Sequence, residues 1–87
     1  MQNRTVPSVF ELLLGIADKL DAKHSTKAVS ERLVLAQALV VAEELHGPTA
    51  EAEAAEEAAL PLLPAVTGQT RGEYSTQLRL AAVGAVL

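Results

Sequence analysis

The ten residues from 33 to 42 contain only one polar side chain, Gln37. They lie inside a predicted long helix, because residues typical of helix ends stand before and after this stretch. A helix of a small globular protein normally keeps one polar stripe toward solvent, and a helix that is apolar on all sides has to be covered on all sides. The sequence therefore predicts that this helix is covered by a partner protein or by a second copy of the chain.

The size and composition predict a single helical domain over residues 1–87, which is either a complete unit or a subunit or fragment of a larger assembly. Hydrophobic residues make up 49% of the chain, but its aromatic residues are only Phe10 and Tyr74. The core must therefore be built from Leu, Val and Ala. The apolar spacing predicts an all-α bundle of four helices at about 8–22, 26–46, 49–60 and 71–86.

Local signals set these boundaries. A capping box begins at Ser8 and another at Thr70, because a hydroxyl residue is followed three positions later by glutamate in each case. Ser25 or Thr26 is the predicted cap of helix 2, and Gly47 followed by proline ends it. Short connections of this kind favour antiparallel neighbours.

Two prolines, Pro61 and Pro64, are predicted to end or kink helix 3, since proline lacks a backbone donor and disfavours helix at the preceding residue. We interpret the segment between them as a buried connection. For helix 3 itself, the predicted inner face is Ala50, Ala54, Ala58 and Leu62. In helix 1, Gly15 either costs helix stability or marks the close approach of another helix.

The polar residues Ser30, Gln37 and Glu44 are seven apart in helix 2, and we interpret them as an outward stripe. Val34 and Val41 complete that stripe, where an isolated bundle would carry charge. Helix 4 also becomes apolar on its outer side toward its end. The predicted interface consists of Val34, Gln37, Val41, Val83, Val86 and Leu87.

Several function classes find no support in the sequence. There is no cysteine, and the two histidines, His24 and His46, stand at opposite ends of helix 2. We find no phosphate loop, nucleophile motif or metal-ligand spacing, so we expect no catalytic residue, no cofactor and no metal site. The apolar runs are too short to span a membrane. A cytoplasmic location is the expectation from the lack of cysteine and of a leader-like N-terminus.

The leading hypothesis is a non-enzymatic module that binds itself or another helical protein through apolar faces of helices 2 and 4. A second hypothesis is a nucleic-acid-associated regulator with helices 1 and 2 as a helix–turn–helix, in which Lys23, Lys27 and Arg32 contact phosphates across a short turn at residues 24–26. The net charge of −4 argues against nucleic acid as a partner. A third is a carrier of an apolar small molecule, which would need a cavity.

Overall fold

The computed structural model describes the backbone of residues 5–86 and the side chains of residues 9–85. Within this part of the chain there are four α-helices, one 3₁₀ turn and no strand, so the predicted all-α, four-helix architecture is confirmed. The elements in chain order are α1 (Thr5–Ala22), α2 (Glu31–His46), α3 (Ala50–Ala59), the 3₁₀ turn (Leu60–Leu62) and α4 (Arg71–Val86).

Helix α1 is the central element, because α2, α3 and α4 all pack against it. Its most extensive partner is α4, which lies antiparallel to it: Asp18 contacts Arg79, whereas Asp21, one turn later, contacts Ser75. Helices α2 and α3 contact each other as well as α1. The side chains that α1 buries in this core are Val9, Leu12, Leu13, Ile16, Ala17 and Leu20.

The beginning of α1 lies earlier than predicted. The helix includes Thr5, so Ser8 is a helical residue and not its cap. Pro7 falls within the first turn, where the missing backbone donor costs no helical hydrogen bond. The prediction of a capped start at Ser8 is therefore wrong.

The beginning of α2 lies five residues later than the predicted position 26. Ser30 is the N-cap, and its hydroxyl accepts a hydrogen bond from the backbone N–H of Leu33 at 3.1 Å. The residues before it are held outside a helix by the start of α4, because Val29 N–H donates to Gln69 O and Arg71 N–H donates to Lys27 O. These long-range backbone bonds override the local helix tendency of the segment.

The α2–α3 connection has the predicted glycine at the end of α2 and a hydroxyl cap at the start of α3. Gly47 ends α2 with a positive φ of 74°, and its N–H donates to Glu43 O at 2.7 Å. Thr49 caps α3, its hydroxyl accepting from Ala52 N–H. The capping box of α4 is also confirmed: Thr70 N–H donates to Glu73 Oε1 at 2.9 Å and Glu73 N–H donates to Thr70 Oγ1 at 3.1 Å.

Helix α3 ends at Ala59, two residues before Pro61, as the prolines predict. Its inner face is different from the predicted one, since α3 buries Ala52, Ala55 and Ala59 and exposes Ala50, Ala54 and Ala58, while Leu62 lies in the 3₁₀ turn and is exposed. The Pro61–Pro64 segment is not a buried connection either. Its first two residues belong to the 3₁₀ turn, which leaves Leu60 and Leu62 about two fifths exposed.

Gly15 marks a close helix approach, as one of the two sequence interpretations has it. A Cβ atom built on Gly15 would lie only 2.5 Å from Cγ1 of Val41. Helices α1 and α2 therefore cross at this point with a contact that a glycine hydrogen permits. In the described part of the chain, none of the helices has the length and apolarity needed to cross a membrane.

Candidate interaction surface

Large apolar side chains remain exposed on three elements of the described chain. The most exposed is Leu80 of α4, at 69%, and Val83 lies one turn further along the same helix at 48%. The others lie on α2 and on the 3₁₀ turn, and each is between 39% and 45% exposed: Leu35, Leu39, Val40, Leu45, Leu60 and Leu62.

Four exposed apolar residues of α2 share one side of that helix. Leu35 and Leu39 are four residues apart, as are Ala36 and Val40, and residues at this spacing are neighbours on a helix surface. We call Leu35, Ala36, Leu39 and Val40 the α2 apolar face. It is the densest group of exposed apolar side chains that any one described helix presents.

The prediction that Val34 and Val41 lie on an outward stripe is wrong. They are 2% and 3% exposed and belong to the core, where Val41 packs against Gly15. The polar residues that defined the stripe mark the border of the buried side of α2. Glu44, at this border, is exposed and pairs with Lys19 of α1 at 2.7 Å, so the border runs along the edge of the contact with α1.

The remaining predicted interface residues differ in their exposure. Gln37 is half-buried at the same border of α2, whereas Val83 is exposed on α4 as expected. The side chain of Val86 and the whole of Leu87 lie outside the described residues. Sequence reasoning did not single out the α2 apolar face, although the spacing of residues 35, 36, 39 and 40 is a helical pattern that could have indicated it.

Opposite charges stand at the two ends of the α2 apolar face. Arg32 lies one turn before Ala36, and Glu43 lies one turn after Leu39, so both share the side of the helix that the face occupies. Both side chains are exposed. Among residues 9–85, neither of them has an ion-pair partner.

A polar cluster joins α1 to α4 on another part of the molecule. Arg79 donates to Asp21 Oδ2 at 2.8 Å and to Asp18 Oδ1 at 3.0 Å, and the Ser75 hydroxyl lies 2.9 Å from Asp21 Oδ1. The hydrogen bonds from Arg79 and then from Ser75 lower the pKa of Asp21, and the hydrogen bond to Asp21 raises the pKa of Arg79. These residues hold α4 in place against the C-terminal turns of α1.

A partly open cleft of about 330 Å³ lies where α2 begins, between the 3₁₀ turn and the start of α4. Tyr74 forms part of its wall and is fixed by a hydrogen bond from its hydroxyl to Pro64 O at 2.6 Å. Burial raises the pKa of Tyr74, and the nearby charge of Glu31 raises it further. The cleft is lined by Glu31, Val34, Leu35, Leu60, Leu63, Pro64, Ala65, Val66 and Tyr74.

The short helix–turn–helix connection predicted at residues 24–26 is not present. Eight residues, 23–30, separate α1 from α2, and their backbone is bonded to the start of α4. A helix–turn–helix uses a turn of three or four residues. The structure therefore does not place Lys23, Lys27 and Arg32 on a helix–turn–helix, as the hypothesis assumed.

Among the residues that the structure describes, no three His, Asp or Glu side chains form a group that could hold a metal ion. Comparison of the chain with family models, curated proteins and solved structures finds no match.

Proposed function

We propose that this chain is a non-enzymatic interaction module that associates with a second copy of itself through the α2 apolar face. The observation that supports the proposal is the exposure of Leu35, Leu39 and Val40 on one side of α2, next to the small residue Ala36. A small side chain lets two helices approach closely, and apolar side chains that leave water on both copies stabilise the pair.

The size of the face predicts a weak dimer. Full burial of a Leu or Val side chain contributes about 1.5–3 kcal/mol, and these three are still about two fifths exposed. The six side chains of a symmetric pair would then supply about 4–8 kcal/mol. Because association costs at least about 4 kcal/mol in lost freedom, at most about 4 kcal/mol remains, and we expect a dissociation constant of about 1 mM or weaker.

Sedimentation over a concentration series of about 0.1 to 5 mM, which extends above the expected dissociation constant, tests the proposal. We expect the wild-type chain to show a reversible monomer–dimer equilibrium and the Leu39→Lys variant to be shifted to monomer. Leu45→Lys is the matched control, since Leu45 has nearly the same exposure on the same helix but lies about 120° around it from Leu39. A wild-type chain that stays monomeric throughout the series would refute the proposal.

A carrier of a small apolar molecule is a second candidate, and the cleft beside Tyr74 is the observation that favours it. Tyr74 is the single tyrosine of a chain without tryptophan, so its fluorescence reports on this cleft alone. A fatty acid or a steroid that entered the cleft would change that emission in a saturable way. Leu39→Lys separates the two functions, because Leu39 lies outside the cleft lining. A carrier should keep the ligand-dependent change in emission in this variant, whereas self-association should be lost.

A further inference from the structure

We propose that two copies of α2 pack antiparallel about a two-fold axis, in a register in which Arg32 of each copy faces Glu43 of the other. The inference rests on the proposed self-association and specifies its geometry. It follows from the order of residues along the exposed side of α2 and from the charges at the two ends of that side.

The exposed side of α2 has a central line with two flanks. Arg32, Ala36, Leu39 and Glu43 are spaced four, three and four residues apart, so they fall within about 60° of one another around the helix. Leu35 lies on one flank of this line and Val40 lies about as far away on the other flank. Such a line is the geometry in which one helix packs along another.

The same line complements itself when it is reversed. In an antiparallel two-fold pair centred between residues 37 and 38, residues whose numbers sum to 75 face each other. Ala36 then faces Leu39 of the second copy, so that a small side chain meets a large one. Each flank lies beside the same flank of the second copy, so Leu35 and Val40 line the two edges of the contact. Arg32 faces Glu43 at both ends of the pair.

Other arrangements lose this complementarity. A parallel pair in the same register would place Arg32 opposite Arg32 and Glu43 opposite Glu43, which is repulsive at both ends. An antiparallel pair shifted by one turn would place either Arg32 opposite Leu39 or Glu43 opposite Ala36, where the charge has no ionic partner, and would leave the other charge beyond the end of the paired helix. The charges therefore select both the direction and the register.

The two charged residues are also free for this role among the described residues. Glu44, the neighbour of Glu43, is on the border that faces α1 and pairs with Lys19. Arg79, in the cluster between α1 and α4, takes both Asp18 and Asp21. Glu43 and Arg32 stay exposed without an ion pair, on the side of α2 that these pairs leave open.

Charge reversal tests the register by sedimentation at low salt, where exposed charges are least screened. Arg32→Glu alone, and Glu43→Arg alone, should each weaken the dimer by about tenfold, because two attractive pairs become repulsive. The double variant Arg32→Glu/Glu43→Arg should regain the wild-type dissociation constant. An equal mixture of the two single variants should form a mixed dimer.

Cysteine cross-linking gives a second measurement, and the chain has no cysteine of its own to interfere. In the proposed register, a mixture of Arg32→Cys and Glu43→Cys chains should form the disulfide between unlike chains, and the other end of that pair keeps its Glu43–Arg32 contact. Each variant alone should cross-link poorly, since its two sulfurs would be separated by about 16 Å along the helix axis.

The outcomes separate this inference from the proposal on which it rests. If the wild type dimerises and Leu39→Lys dissociates it, but the single charge reversals have no effect, self-association stands and the antiparallel register is overturned. Efficient cross-linking of Arg32→Cys with itself would likewise indicate a parallel pair and overturn the register. A monomeric wild type would overturn both.

Discussion

Replacing Gly15 by alanine tests the packing of α1 against α2 at the closest point between them. An added Cβ would lie 2.5 Å from Cγ1 of Val41 and 3.5 Å from its Cγ2. A separation of 2.5 Å between two carbon atoms is far inside their optimal distance of about 3.5–4.0 Å. Something in this contact must therefore move when the methyl group is present.

Val41 has little freedom to make that movement. It is buried, and a β-branched side chain within a helix has one strongly preferred rotamer. The strain must therefore be relieved by moving the helix backbones apart, which loosens the core contacts around Ile16 and Ala38. Overpacking of a well-packed core costs about 1–3 kcal/mol.

Helix propensity works in the opposite direction, because alanine is favoured over glycine by about 1 kcal/mol inside a helix. We expect the packing cost to prevail, with a net loss of up to about 2 kcal/mol in the free energy of unfolding. For a domain of this size the melting temperature should fall by up to about 15 °C. Thermal and urea unfolding followed by circular dichroism measure both quantities.

Gly84→Ala is the matched control, since Gly84 also lies within a helix but has no atom within 4 Å of its added Cβ. This variant should be neutral or more stable than the wild type by up to about 1 kcal/mol. The Gly15→Ala/Val41→Ala double variant should be less destabilised than the sum of its single variants, because the new methyl group occupies space vacated by the valine. The reasoning is refuted if Gly15→Ala stabilises the protein as much as Gly84→Ala does.

Two further predictions concern the polar contacts of α4. Asp21→Asn should lower the melting temperature by a few degrees at pH 7, because it weakens the contacts with Arg79 and Ser75. Folding lowers the pKa of Asp21 from its ordinary value of 3.8, so its contribution to stability is complete above about pH 4 and is lost as the pH falls through the folded pKa. The melting temperatures of wild type and variant should therefore converge in acid. A constant difference down to about pH 2 would contradict this cause. Tyr74→Phe should cost about 1 kcal/mol in urea unfolding, because it removes the hydrogen bond to Pro64 O from a buried ring, and an unchanged midpoint would show that this bond contributes nothing net.

The helix ends that local chemistry determines were predictable from the sequence. Gly47 needs a positive φ that other residues avoid, and Thr70 and Glu73 satisfy each other's backbone donors. The start of α2 was not predicted, because Lys27 and Val29 are bonded to residues some forty positions away. A signal was present, however: Ser30 is preceded by Val29 and followed by Val34, which is the spacing of a capped helix start with a hydrophobic staple.

The sequence also predicts that helices 2 and 4 expose apolar side chains. It does not predict which side of α2 exposes them. A helical period tells which residues share a side and leaves open which side faces the core. The polar residues Ser30, Gln37 and Glu44 indicate contact with solvent, but such residues also stand at the border of two packed helices. The burial of Val34 and Val41 decides between these meanings, and it depends on where α1 lies.

The position of α1 also explains why the surplus exists. The most apolar stretch of the sequence belongs to α2, yet the central position in the bundle is held by α1, which α2, α3 and α4 surround. A peripheral helix has one side that its own chain does not cover. On α2 that side carries Leu35, Leu39 and Val40 instead of charges, and its only charges stand at its two ends with opposite signs. A side with that order of residues matches a reversed copy of itself, which is why we expect the second copy, and not an unrelated surface, to cover it.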